Sequence, residues 1–161
     1  MNPVAFPVIV FVAGIATSLQ GLFLGVIRMR RGVIHAARVS FLGTFIGVAA
    51  VMFAQVSGAR RYLLLGGAIV AMAMLIGLMS KTRWYLGGVG LLGAIYLGAS
   101  AAGVAALGAG VTVAIIVGGQ MFASLTLDRM GALGIERRPL SAKRVAGAAL
   151  IVLGVVLVRF G

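Results

Sequence analysis

The fold is decided by residues 84–127, WYLGGVGLLGAIYLGASAAGVAALGAGVTVAIIVGGQMFASLTL, which include no Asp, Glu, Lys, Arg or His. A helix needs about 20 consecutive apolar residues to cross the hydrocarbon core of a bilayer. A stretch of 44 residues is therefore long enough for two crossings joined by a tight turn, which we predict at residues 103–110. This part of the chain is suited to lipid rather than water.

Composition extends that conclusion to the whole chain. Hydrophobic residues occupy 62% of the 161 positions, charged residues occupy 10%, and the mean hydropathy is +1.19. These values lie far outside the range of soluble domains. We therefore predict an all-α, polytopic transmembrane helix bundle. Residues 1–161 form a single integral membrane domain in contact with the lipid bilayer, without room for a soluble catalytic module.

Six apolar blocks, bounded by charged residues, are the predicted membrane spans. They are residues 4–27, 34–56, 62–79, 84–102, 108–127 and 145–158. The third block has only 18 residues, with Gly66 and Gly67 near its start. An alternative with five spans places residues 62–79 at the membrane interface or in a re-entrant segment.

The charged residues indicate how the bundle is oriented. The 14 Lys and Arg residues, which give a net charge of +12, lie almost entirely between the apolar blocks. In a soluble protein this charge would suggest nucleic acid, but this placement is topogenic and no nucleic-acid partner is expected. With six crossings, 11 basic residues fall on one side of the membrane and 3 on the other. The positive-inside rule then places both termini outside the cytoplasm; five crossings give a weaker bias.

Small residues recur inside the apolar blocks, where they let neighbouring helices approach closely. Those spaced three or four positions apart are Gly14, Ser18, Gly21 and Gly25 in the first block, and Gly43 and Gly47 in the second. We interpret these faces as packing seams between helices. The alternative is that the seams slide or rock during transport.

Polar side chains inside the blocks are few, and each costs free energy unless it has a partner or faces water. The fifth block has the clearest series, in which positions four apart drift slowly round one helix face. The series is Thr112, Ile116, Gln120, Ser124 and Asp128. In the second block, Ser40, Thr44 and Gly47 share a face.

Together, the polar residues of the blocks are predicted to line a midplane cavity. The candidate substrate contacts are Gln20, Tyr96, Gln120 and Ser124. The alternative for each is an interhelical hydrogen bond, worth about 1 kcal/mol in membrane helices. Trp84 and Tyr85, at a block boundary, are better explained as an interfacial aromatic anchor than as substrate contacts.

The chain has two carboxylates, Asp128 and Glu136, and both flank its most basic connection. A proton-coupled exporter of cations generally uses an acid deep within a span, and neither residue is placed there. We expect Asp128 to pair with Arg129, Lys143 or Arg144. Glu136 is expected to be a solvated loop charge.

The sequence contains no recognisable enzyme constellation. Cysteine is absent and His35 is the single histidine, which excludes thiol chemistry and argues against a histidine metal site within one chain. A Ser/His/Asp set and a phosphate-binding loop are also missing. We predict that the protein is not an enzyme and that it uses no metal or cofactor.

A succession of short motifs runs through the second half of the chain. They are WYLGG at residues 84–88, LGAIY at 92–96, GQM at 119–121, LD at 127–128 and RPLS at 138–141. Gln20 and the tract SFLGT at residues 40–44 add a weaker similarity in the first half. In order and spacing, these motifs resemble the YdcZ branch of the drug/metabolite transporter superfamily, a group of small membrane proteins.

The resemblance implies a multi-pass secondary transporter of the bacterial inner membrane that moves a small-molecule substrate, usually has five spans and works as a homodimer. Residues 62–79 depart from that pattern, because an apolar block replaces a short polar connection. We predict alternating access in a homo-oligomer.

One rival function is that of a non-transporting assembly or scaffold subunit with a dry interior. Another is an exporter like the small multidrug resistance proteins, which the missing acid in the first span disfavours.

Overall fold

Helices form nearly all of the described part of the molecule. The computed structural model describes residues 5–53, 58–79, 88–131 and 141–160. The helices in these ranges are α1 (Ala5–Arg31), α2 (Val33–Phe53), α3 (Ala59–Met79), α4 (Val89–Leu107), α5 (Ala109–Met130) and α6 (Ala142–Phe160). No strand occurs in them. The predicted all-α class is confirmed, and each predicted apolar block corresponds to one helix.

Several of these helices have the length and composition of membrane spans. Within the described ranges, α1, α2, α4 and α5 are long and apolar enough to cross a membrane, and α3 contains the shorter apolar stretch Leu64–Gly77. Large apolar side chains lie on the outside of the helices; Phe41, for example, is 77% exposed. Such surfaces are rare on soluble monomers and are the surfaces that contact acyl chains.

The connection between α1 and α2 is the single residue Gly32, whose φ of 86° lies in the left-handed region that favours glycine. The first span was predicted to end at residue 27, but α1 continues through Arg28, Arg30 and Arg31. Positive side chains at the end of a helix interact favourably with its dipole, and long arginine side chains reach the membrane interface. The basic residues therefore extend the helix instead of forming a loop.

The turn between α4 and α5 lies within the predicted residues 103–110, but it consists of Gly108 alone, with φ 82°. Gly103, which we had assigned to the turn, lies inside α4 and is buried. A Cβ atom at Gly103 would lie 2.5 Å from Cγ2 of Val10 on α1 and 2.9 Å from Cγ2 of Thr112 on α5. Its small size therefore serves the packing of α4 against α1 and α5 rather than reversal of the chain.

Contacts divide the chain into two units. The terminal unit comprises Met1–Leu19 and Tyr96–Gly161, and the central unit comprises Gln20–Ile95. Helices α1 and α4 each contribute residues to both units.

In the terminal unit, the first half of α1 packs against α5 through glycine. A Cβ atom at Gly14 would lie 3.0 Å from Cα of Gly119 and would also meet the carbonyl oxygen of Ile116. The rings of Phe11 and Phe122 extend this contact, with their centroids 6.0 Å apart. Helix α5 also packs against α6.

In the central unit, α2 packs against both α3 and the start of α4. A buried cluster between α1, α2 and α3 consists of Ile27, Ala36, Val39 and Leu75. A Cβ atom at Gly43 would lie 2.6 Å from Cα of Gly90, and one at Gly47 would meet the side chain of Ala94. These two glycines allow α2 to approach α4 at backbone distance.

The predicted packing seams are therefore confirmed at Gly14, Gly43 and Gly47 but wrong at Gly21 and Gly25. A Cβ atom at either of the last two would meet no atom within 4 Å. A stripe of small residues permits close approach, but it does not supply a neighbouring helix. In the second half of α1 the stripe borders a groove instead.

Candidate functional site

Polar side chains from α1 and α2 converge on Gly93 of α4 in the central unit. Nε2 of Gln20 donates a hydrogen bond to Oγ of Ser40 at 3.3 Å. Oγ1 of Thr44 donates to the carbonyl oxygen of Gly90 at 3.0 Å. A Cβ atom at Gly93 would lie 2.9 Å from Nε2 of Gln20 and would also meet Oγ1 of Thr44. The bare backbone of α4 thus makes room for this polar cluster.

The local sequence explains why the cluster forms. Ser40 and Thr44 lie one turn apart on α2, so both side chains point to the same side of that helix. The glycine contact between Gly43 and Gly90 brings the two helices close enough for the Thr44 hydroxyl to reach a carbonyl oxygen of α4. That oxygen can accept a second hydrogen bond in addition to its helical one.

A groove of about 390 Å³ opens beside the cluster, between α1 and α2. Its lining residues are Gly21, Leu24, Gly25 and Arg28 of α1, and Val33, Ala36, Ala37, Ser40 and Phe41 of α2. Gly21, Gly25 and Arg28 lie on one face of α1, because positions four and seven residues apart nearly coincide around a helix. Ser40 joins the groove to the polar cluster, since it lines the groove and accepts the hydrogen bond from Gln20.

The predicted contact residues fall into different units. Gln20 belongs to the central unit, and Tyr96, Gln120 and Ser124 belong to the terminal unit. Gln120 and Ser124 lie one turn apart on α5 and are half-buried, as is Tyr96. A midplane cavity formed by all four residues stays a prediction.

Most hydroxyl groups of the terminal unit bond to carbonyl groups of their own helix. The acceptors are Gly108 for Thr112, Met121 for Ser124 and Phe122 for Thr126. Ser18 differs from these residues, because its Oγ donates to the carbonyl oxygen of Gln120 at 2.9 Å and joins α1 to α5. In the polar series of α5, the Thr112 and Ser124 hydroxyls thus bond within the helix, whereas Asp128 accepts from Arg144 of α6.

The predicted ion pair of Asp128 is confirmed, and its partner is Arg144. Nη1 of Arg144 lies 2.8 Å from Oδ2 of Asp128. The pair joins the end of α5 to the start of α6. The predicted loop charge Glu136 and the predicted aromatic anchor at Trp84 and Tyr85 lie outside the described residues.

Ser40 and Thr44 are among the polar residues that the sequence predicts to line a cavity, although it does not single them out as substrate contacts. The site residue that the sequence does not indicate is Arg28, whose charge is explained by topology alone. Its spacing from Gly21 and Gly25 was the available signal. Within the described ranges, no group of three or more His, Cys, Asp or Glu residues is arranged to hold a metal ion.

Comparison with known proteins agrees with the earlier resemblance. The sequence profile of the family described as "Putative inner membrane exporter, YdcZ" matches residues 5–157. Over 81 residues the chain is 37% identical to "Inner membrane protein YdcZ" of Escherichia coli (strain K12), a match that covers 50% of this chain and 54% of that protein. The matched stretch thus spans about half the length of this curated relative. No solved structure matches the chain.

Both matches identify the YdcZ proteins, and the family profile covers nearly the whole chain. The apolar helices α1, α2, α4 and α5 agree with a protein that crosses the membrane several times. The chain therefore belongs to the YdcZ family of the drug/metabolite transporter superfamily and is a multi-pass protein of the inner membrane.

Proposed function

We propose that this protein exports a small organic solute across the inner membrane by alternating access, as a homodimer of six-span subunits. The observation that carries the proposal is the groove of the central unit, which is lined by Arg28 and by Ser40, the partner of Gln20. Membership of a family described as inner membrane exporters supports the direction of transport.

The groove lining favours a neutral or anionic substrate with an apolar body. Arg28 is the ionisable residue of the lining, and Leu24 and Phe41 contribute apolar surface. A proton-coupled exporter of cations would use a carboxylate inside a span. The described carboxylate, Asp128, belongs to the other unit and is paired with Arg144.

A substrate can bind by replacing the hydrogen bond between Gln20 and Ser40 with hydrogen bonds of its own to these side chains. The length of the bond between Gln20 and Ser40, 3.3 Å, exceeds the usual value of about 2.9–3.0 Å. The Gln20 amide has two donors and an acceptor, and the Ser40 hydroxyl can donate and accept. A polar group of the substrate can therefore replace one partner and satisfy the hydrogen-bonding group that remains, which matters because an unsatisfied polar group inside a span is costly.

The proposal of six spans rests on helix length and charge. Helix α3 has 21 residues and α6 has 19. At about 1.5 Å per residue, these lengths approach the thickness of about 30 Å of a hydrocarbon core. Six crossings place Arg28 on the cytoplasmic side by the positive-inside rule. The Arg28 end of the groove is then the entrance for a substrate that leaves the cell.

Flux into proteoliposomes containing the purified full-length protein tests this proposal. The probes are three naphthalenes of similar size that carry a carboxylate, a hydroxymethyl group or an aminomethyl group. Gly25→Leu is the blocking variant, because a Cβ atom at Gly25 meets no atom within 4 Å and the added side chain fills the groove. Gly98→Leu is the matched control, since Gly98 also faces open space and does not line the groove.

After subtraction of the passive flux measured in protein-free liposomes, we expect the carboxylate or the alcohol to cross faster than the ammonium compound, with this protein-dependent flux lost in Gly25→Leu and retained in Gly98→Leu. Undiminished flux in Gly25→Leu would contradict the assignment of the groove. No flux of any probe through a folded protein would favour the rival function of a membrane assembly subunit.

A further inference from the structure

A second groove lies between α2 and α3; it shares Val33, Ala37 and Phe41 with the proposed transport groove but includes neither Arg28 nor Ser40. Its volume is about 840 Å³. The lining residues are Val33, Ile34, Ala37, Arg38, Phe41 and Leu42 of α2, and Met74 and Gly77 of α3. Every lining residue except Arg38 is apolar. We infer that this groove binds an anionic phospholipid, with an acyl chain along the apolar wall and the phosphate group on Arg38.

The apolar wall has the surface and the length that an acyl chain requires. Ile34, Phe41 and Met74 are 69%, 77% and 57% exposed, respectively, and in a multi-pass inner-membrane protein this exposed surface lies against hydrocarbon. From Val33 to Leu42 the helix rises about 14 Å. That distance is close to half the thickness of a hydrocarbon core of about 30 Å, so the groove spans about one leaflet.

The position of Arg38 suits a lipid phosphate. Arg38 lies about 8 Å along α2 from its first residue, and side chains on a helix lean toward its N-terminus. Its guanidinium group therefore reaches back toward the membrane surface, where the exposed Arg28 and Arg30 at the end of α1 add positive charge. Guanidinium groups bind phosphate oxygens with paired hydrogen bonds, and basic sites between cytoplasmic helix ends attract anionic lipid headgroups.

A second copy of the chain fits this groove less well than a lipid does. A symmetric contact would place the same patch of both subunits face to face and would bring two copies of Arg38 together. With Arg28 and Arg30 nearby on each chain, like charges would oppose one another at the interface. An anionic lipid brings the opposite charge and needs no partner residue.

Native mass spectrometry of the full-length protein in detergent tests the inference. The probes are phosphatidylglycerol and phosphatidylcholine with identical acyl chains. We expect phosphatidylglycerol to bind about fivefold more tightly, as one favourable arginine contact near the membrane surface would give. Arg38→Gln should abolish this preference, Arg38→Lys should retain part of it, and Arg30→Gln, which removes a charge outside the groove lining, should leave most of it.

The apolar wall is tested separately through Gly77. A Cβ atom at this position meets no atom within 4 Å, so Gly77→Leu fills the groove and should lower the binding of both lipids. Gly66→Leu is the matched control on α3, because Gly66 also faces open space and lies outside the lining. Equal binding of the two lipids, or binding unchanged by both Arg38→Gln and Gly77→Leu, overturns the inference. So does a dimer that dissociates in Gly77→Leu while lipid binding stays the same.

Discussion

Gly93 is the residue on which the geometry of the candidate site depends. The space that a side chain at this position would need is filled by the amide of Gln20 and the hydroxyl of Thr44. Glycine is therefore required because these neighbours leave no room for a Cβ atom. Its backbone conformation does not require glycine, since it belongs to the regular helix α4. The same absence of a side chain makes room for the Gln20 amide beside Ser40.

Gly93→Ala should destabilise the protein, because a methyl group at this position overlaps Oγ1 of Thr44 and crowds Gln20. Overpacking of this kind costs about 1–3 kcal/mol. Adding Thr44→Ala removes the overlapping hydroxyl and should restore part of the loss. Thermal unfolding in detergent measures both effects, with Gly98→Ala as the control in open space on the same helix. An unchanged midpoint in Gly93→Ala would show that the cluster is looser than described.

The pair formed by Asp128 and Arg144 should contribute little to stability. Its side chains are 34% and 36% exposed, and exposed ion pairs are typically worth about 0.2–1 kcal/mol. Asp128→Asn should therefore lower the unfolding midpoint slightly at low salt and less at high salt. The exchanged pair Asp128→Arg with Arg144→Asp should recover the difference. A large loss in Asp128→Asn that does not respond to salt would indicate a different role for this carboxylate.

At the scale of elements, the described part of each unit includes a helix pair that meets through glycine and is joined there by a hydroxyl group. In the terminal unit, α1 meets α5 at Gly14, and Ser18 donates to a carbonyl oxygen of α5. In the central unit, α2 meets α4 at Gly43, and Thr44 donates to a carbonyl oxygen of α4. Close approach through small residues makes these hydrogen bonds possible, and in membrane helices each adds about 1 kcal/mol.

Gly43→Ala and Gly21→Ala should change stability in opposite directions. A Cβ atom at Gly43 would lie 2.6 Å from Cα of Gly90, so alanine must separate α2 from α4. At Gly21 the added methyl group meets nothing within 4 Å, and alanine is favoured over glycine in a helix by up to about 1 kcal/mol. Unfolding of both variants in detergent provides the comparison. A loss of stability in Gly21→Ala would mean that the groove beside α1 is closed.

The sequence predicted the close contact at Gly43 but could not distinguish it from the open position at Gly21. Both residues belong to stripes of small side chains with the same spacing. Such a stripe describes one helix, whereas packing also depends on where the other helices lie. The turn between α4 and α5 illustrates the same point, because Gly103 and Gly108 have similar apolar neighbours and only Gly108 adopts a left-handed backbone.

At the scale of the whole molecule, family and class were predictable, and part of the candidate site was not. Gln20 stood out because an amide is costly in an apolar span. Its partner Ser40 lies on the next helix, and only the one-residue connection at Gly32 brings the end of α1 beside the start of α2. Arg28 and Ser40 consequently line one groove. A one-residue connection cannot be predicted when the arginines that end α1 are interpreted as a loop.

The orientation of α3 decides the topology, and the absence of cysteine makes it measurable with single introduced thiols. If α3 crosses, cysteines at Ser57→Cys and Thr82→Cys lie on opposite sides of the membrane. A membrane-impermeant maleimide added to intact spheroplasts should then label Ser57→Cys, together with the reference Ala109→Cys. Thr82→Cys and the reference Ser141→Cys should be labelled only after permeabilisation, as the positive-inside rule requires for six spans.

The two reference positions make each outcome interpretable. Ala109 follows the turn between α4 and α5, and Ser141 precedes α6. Labelling of Ser57→Cys and Thr82→Cys from the same side would mean that α3 does not cross, and the chain would have five spans. The Arg28 end of the groove would then lie on the side opposite to the most basic connection, between α5 and α6. Export that begins at Arg28 depends on six crossings, so this experiment tests the position of the proposed entrance as well as the number of spans.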